Sequence, residues 1–179
     1  MEQKLRYDSR ATGAFGDGTL KGMAIGLVGG LAATIVIDLI TVGVLPFVGL
    51  PADGGFIVIG DTAAGSFALF GIGVAGGIPL GVLMHYLIGL ALGAIFGAAV
   101  TRIDALLLNS IRKGLGLGIL YTEVISLPLL VLPPIILKWT ASAAGQWFGF
   151  SFVMHAIWGT SLALVVIRGL RSGTAAKQE

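Results

Sequence analysis

Four ionisable side chains stand inside otherwise apolar runs of this chain: Asp38, His85, Glu123 and His155. Imidazoles and carboxylates are the groups that relay protons through membrane proteins, because each gains or loses a proton near neutral pH or when its surroundings change. Two imidazoles and two carboxylates are also a donor set for a first-row divalent ion. Two histidines can in principle ligate a haem, which would leave both carboxylates without a role. Against these stands a plainer role, in which each histidine bonds to a carboxylate or to a freed backbone carbonyl and fixes helix packing. Such bonds contribute only about 0.6–2 kcal/mol in a membrane. Prolines could free the carbonyls. Pro128 removes the bond to the carbonyl of Val124, beside Glu123, and Pro79 removes the bond to Ala75.

Other chemistries are excluded. The chain has no cysteine, so thiolate metal sites, disulfides and cysteine nucleophiles are absent. The Gly-x-Gly run from Gly114 to Gly118 follows no strand and lacks a phosphate-loop lysine, and no serine-nucleophile or HExxH motif occurs. Asp53 and Asp61 could hold a cation, but their glycine-rich neighbourhood suits turns better. No cofactor is required by these residues, and nothing in them makes an enzyme.

What must position the four side chains is a set of membrane helices. Of the 179 residues, 56% are hydrophobic and 11% charged, and the mean hydropathy is +0.98. A soluble domain of this size carries about 25% charged residues. A span needs about 20 apolar residues, which predicts four, at 20–45, 78–101, 114–137 and 148–168. Polar tails at 1–19 and 169–179 flank a single bundle. The first apolar stretch is too long for a cleavable leader and reads as a retained anchor.

Four spans place ten of the eleven basic residues on one side: Lys4, Arg6, Arg10, Lys21, Arg102, Arg112, Lys113, Arg168, Arg171 and Lys177, with Lys138 alone opposite. That bias puts both termini in the cytoplasm of an inner (plasma) membrane protein. The scattered basic residues orient the chain and do not suggest nucleic acid. A fifth span at 62–77 would destroy the bias. That stretch is therefore expected as a re-entrant or interfacial segment on the outer side, with a short helix at 62–74. Pro46, Pro51, Asp53-Gly54-Gly55 and Gly60-Asp61 form turns before it. Trp139 and Trp147 belong to an outer aromatic belt. Trp158 is packing, and Tyr121 carries no special role.

Counting from the basic anchors at 1.5 Å per residue places Asp38 and His85 roughly 25 Å up, near the outer boundary. Glu123 and His155 lie roughly 15–20 Å up, near mid-membrane. Glycines recur at every fourth position beside these residues: Gly22, Gly26 and Gly30 in the first span, and Gly81, His85, Gly89, Gly93 and Gly97 in the second. The third span carries Gly114, Gly118, Thr122 and Ser126, and the fourth Ser151, His155, Gly159 and Ala163. Such faces bring helices close together.

Met84-His85 followed by Gly89, and Met154-His155 followed by Gly159, suggest a parallel two-helix repeat, with Asp38 and Glu123 as its buried carboxylates. This His-x3-Gly motif, with the Pro46–Pro51 loop, resembles a group of uncharacterised small four-helix membrane proteins of the YagU type. The resemblance spans roughly residues 22–167. It implies a four-helix integral membrane protein and brings no activity with it.

The expectation is an all-α four-helix membrane bundle without catalytic machinery. Its leading role is an accessory or structural subunit, partnered by lipid and by other membrane subunits or itself. The alternatives are a small proton- or ion-coupled transporter or channel, and a metal- or haem-binding membrane protein.

Overall fold

A computed structural model describes residues 17–106, 108 and 110–175. Five α-helices make up the fold: α1 Asp17–Val44, α2 Gly54–Ala68, α3 Ile78–Arg102, α4 Ile111–Ile136 and α5 Ala141–Ala175. Four of them are long and apolar enough to cross a membrane, over Gly18–Phe47, Ile78–Arg102, Ile111–Ile136 and Ala141–Arg171. They alternate in direction. One end of the bundle carries Lys21, Arg102, Arg112, Lys113, Arg168 and Arg171, and is called the basic end below. The opposite, far end carries the connections 45–53, 69–77 and 137–140.

Two antiparallel helix pairs, α1 with α3 and α4 with α5, build the bundle, and α1 also packs along α5. Glycine decides how closely the first pair approaches. Gly22, Gly26 and Gly30 face Gly97, Gly93 and Gly89 in turn, and a Cβ on any of the six would collide with the opposing helix. At all but Gly89 a backbone carbonyl stands in the way; at Gly89 it is the Thr34 hydroxyl. In α4 and α5 the equivalent close approach is Gly118 against Gly159. Gly81, expected on the same stripe as Gly89, instead admits the backbone of α2 at Phe56.

Toward the basic end the gap between the pairs is filled by Ala33, Ile37, Phe96, Val100, Trp158, Leu162 and Val166. Trp158 also donates its indole N–H to Thr34 Oγ1 at 3.0 Å, joining α5 to α1. The Tyr121 hydroxyl donates to the Leu92 carbonyl at 2.7 Å, joining α4 to α3. Trp158, expected only to pack, and Tyr121, expected to carry no special role, are thus polar ties between the pairs.

Several boundaries differ from expectation. The extra segment is a helix over Gly54–Ala68, not 62–74, so Gly60 and Asp61 lie within α2 rather than in a turn. Gly60 is there because a Cβ would strike the Gly77 carbonyl. Asp61 accepts the Gly77 backbone N–H at 2.7 Å, placing its side chain at the N-terminal end of α3. A carboxylate is favoured there by the helix dipole. The last span starts at Ala141, seven residues earlier than expected, because Thr140 Oγ1 accepts the Ala143 N–H at 3.3 Å as a cap, and the Ala-Ser-Ala-Ala run is helix-compatible. Residues 169–175 continue α5 instead of forming a tail. Pro79 sits in the first turn of α3, where its missing N–H costs nothing, so it frees no helical carbonyl of Ala75.

Candidate functional site

In α1, Asp38 lies two turns beyond Gly30 on the face that meets α3, and His85 lies one turn before Gly89. Packing glycine on glycine brings the two side chains together, with His85 Nε2 3.0 Å from Asp38 Oδ1. Both are mostly covered, with side-chain exposures of 20% for His85 and 16% for Asp38. The Phe56 ring of α2 packs edge-on against the imidazole at 5.7 Å. α2 therefore holds the histidine from a third side.

The second histidine repeats the geometry with a different partner. His155 Nδ1 lies 2.9 Å from Ser126 Oγ. That hydroxyl is also 2.6 Å from the Thr122 carbonyl, one turn back on α4. A hydroxyl has one proton to give, and the carbonyl, at the shorter distance, takes it. Oγ then accepts from His155 Nδ1–H, and Nε2 of the neutral ring keeps its lone pair.

The two units correspond residue by residue in spacing. Gly30, Thr34 and Asp38 in α1 correspond to Gly118, Thr122 and Ser126 in α4, each 88 positions later. His85 and Gly89 correspond to His155 and Gly159, each 70 positions later. Thr34 lies over Gly89 as Thr122 lies over Gly159. The residue equivalent to Asp38 is thus Ser126 and not Glu123.

Both units open on one cavity of about 340 Å³ in the far half of the bundle. All five helices line it. Asp38, His85, Ser126 and His155 supply its polar floor, with Thr41, Thr62, Ser66 and Ser151 around them. The rest of the wall is mostly apolar, including Met84, Met154, Phe67 and Phe150, and among the described residues it contains no lysine or arginine. Thr41 donates to the Met154 sulfur at 3.9 Å. The Thr62 hydroxyl is buried and finds no partner among the described residues.

No family model, curated protein or solved structure matches this chain. The YagU-type resemblance therefore rests on its short motif, and the site has to be read from its own geometry.

Three of the four residues singled out by type and position, Asp38, His85 and His155, meet at this cavity, and Glu123 does not line it. Its Oε1 is buried and without a hydrogen-bond partner among the described residues. The depth estimate for His155 also shifts. Trp158, one turn below His155, bonds to Thr34, one turn below Asp38, so His155 and Asp38 lie at one level. The count from Arg168 misplaced it because α5 runs on to Ala175. Among the described residues no three histidine or acidic side chains come together as metal ligands do, so the two-histidine, two-carboxylate set is not assembled.

Ser126, Thr34 and Thr122 were visible in the sequence only as small residues on a stripe. Trp147 was expected as a belt residue. It lines the cavity, and its indole N–H donates to the Leu130 carbonyl at 3.1 Å. Pro134, four residues after Leu130, has no N–H to satisfy that carbonyl. A proline paired with a later tryptophan was the available signal.

Proposed function

We propose that this integral membrane protein is a small carrier that takes an amphipathic molecule into the far-half cavity and exchanges a proton at its polar floor. One observation carries the reading: Asp38, His85 and His155, each costly to bury in hydrocarbon, share one cavity with Ser126. Groups that served only to set helix register would have no need to converge. The cavity volume falls in the range of small-molecule sites, about 300–1,000 Å³. An apolar wall with a few convergent polar groups is the usual make-up of such sites.

The basic-end bias of lysine and arginine supports cytoplasmic termini, so the cavity faces the outer half of an inner membrane. Carriers built from two like units move one against the other around a shared site. Here the two helix pairs would be those bodies, pivoting on the α1–α5 packing, with the α3–α4 seam held by the Tyr121 to Leu92 bond.

Trp147 gives the test. In phosphatidylcholine nanodiscs, 11-bromoundecanol should quench the Trp147 share of the fluorescence saturably, that share being defined by difference from Trp147→Phe. Ala63→Phe, which fills the cavity, should abolish saturation. Quenching that only rises linearly with probe in the bilayer, unchanged by Ala63→Phe, would overturn the reading.

Glu123 favours a second role, as a subunit of a larger membrane assembly or a homo-oligomer. Its carboxyl lies inside a span and away from the cavity, on a residue only partly covered by its own chain, where contact with lipid is costly and another chain would cover it. Native mass measurement in mild detergent tests this: monomer alone, with no mass shift on Glu123→Leu, would remove it.

A further inference from the structure

We infer that the molecule held in the cavity is a lipophilic amine, its ammonium group seated on the Asp38 carboxylate at the polar floor. The inference rests on the cavity being a binding site, and adds which head group it selects. It follows from a census of donors and acceptors on the floor.

Asp38 is a carboxylate with about four acceptor positions. His85 Nε2–H occupies one, and the Tyr86 hydroxyl also lies close to this carboxyl. That leaves positions unfilled. His85 is engaged with Asp38 through Nε2, so its Nδ1 lies on the side of the ring turned away from that carboxylate. His155 Nε2 is an acceptor, because Nδ1 has its proton committed to Ser126. The floor thus offers a carboxylate with open acceptor positions and the His155 lone pair.

The donors that could compete are already used. The Trp147 indole N–H is bound to Leu130, the Ser66 hydroxyl to Thr62, and the Ser126 hydroxyl to Thr122. Thr41, Thr62 and Ser151 can serve either role and discriminate little. Among the described residues no lysine or arginine lines the cavity to neutralise Asp38 or to receive an anion. An acid ligand would meet the like charge of Asp38, to which His85 is already bound. An alcohol has one proton to offer to several acceptors.

A protonated amine brings up to three donors and the missing charge. Its surroundings also suit it. Aromatic faces and polarisable thioether sulfurs attract cations and alkyl chains alike. Phe56, Phe67, Phe150, Met84 and Met154 supply them above the floor.

Three probes that differ only in head group separate this inference from the reading beneath it: 11-bromoundecylamine, 11-bromoundecanol and 11-bromoundecanoate. Each is titrated at pH 7 against the protein in uncharged phosphatidylcholine nanodiscs, with Trp147 quenching as readout and empty nanodiscs correcting for partition. The amine should saturate at a concentration at least tenfold below the alcohol, and the acid should bind weakest. Asp38→Asn should bring amine and alcohol to equal affinity while the alcohol still saturates. If Asp38→Asn does not fold, the ranking of the three probes on the unmodified protein decides alone. Equal binding of amine and alcohol, or tighter binding of the acid, overturns the amine inference and leaves the cavity reading standing. Saturation by none of the three overturns both.

Discussion

The α1–α3 pair and the α4–α5 pair are built on one plan, and two of their differences set the histidine's partner and the spacing of the helices. Both pairs set a threonine over a glycine and a histidine one turn further on. Where α1 has Asp38, α4 has Ser126; where α3 has Gly93, α5 has Ala163. The first change replaces a charged partner of histidine with a neutral one. The second replaces a backbone-on-backbone contact with a methyl group, since a Cβ on Gly118 meets the Ala163 Cβ as well as the Gly159 carbonyl. One pair is thus the tighter and carries the charge, and the other is looser and neutral. A polar floor assembled from two such units is asymmetric in charge while symmetric in shape.

The largest expected effect comes from the tight interface. Gly93→Leu drives a side chain into the Gly26 carbonyl and the Gly30 backbone, and should cost about 3 kcal/mol or more. Gly116→Leu in α4, which meets open space, should change stability by about 0.5 kcal/mol or less. Unfolding in mixed detergent micelles measures both, and similar losses would refute the close packing of α1 on α3.

Next in size is the contrast between the histidine partners. Asp38→Ala strips the charged partner from a mostly covered imidazole, and Ser126→Ala strips the neutral one. Interhelical bonds in membranes average about 0.6 kcal/mol and reach about 1.7, so Asp38 should fall at the upper end and Ser126 near the mean. Double-mutant cycles with His85→Ala and His155→Ala read the two couplings directly. Equal coupling energies would show that the carboxylate adds nothing beyond a hydroxyl.

The smallest effect tests the far end of the looser pair. Trp147→Phe leaves the Leu130 carbonyl, already deprived by Pro134, without its donor. The expected loss is about 0.5 kcal/mol. A Trp139→Phe control keeps that bond while removing the other ring of the edge-on Trp139–Trp147 contact.

Much of this architecture could be read from residue order. The four spans follow from apolar length, and the close α1–α3 approach follows from glycines spaced four apart. Asp38, His85 and His155 stand out because ionisable groups are rare in such runs. Glu123 misled because the two halves were matched by chemical likeness, carboxylate for carboxylate. Matching by spacing, with His155 and Gly159 as fixed points, leads through Gly118 and Thr122 to Ser126. α2 was placed too late because Gly54-Gly55 and Gly60-Asp61 have turn chemistry in isolation. Their reason lies in a partner helix, since Gly60 admits Gly77 and Asp61 reaches its N–H. A local reading has no access to a demand set 16 residues away. The cavity was equally hidden, because its walls come from every helix.

The glycine face of α1 has a consequence during synthesis. Its matching surface lies on α3, which ends 58 residues after Val44. At about 5–20 residues per second, the ribosome needs roughly 3–12 s to complete that partner. For this interval α1 presents a row of bare backbone to lipid, with Asp38 still lacking His85. A pause before Arg102, or a truncation between α1 and α3, should therefore produce a nascent chain that membrane quality control recognises and degrades. Chains released after α3 should survive longer.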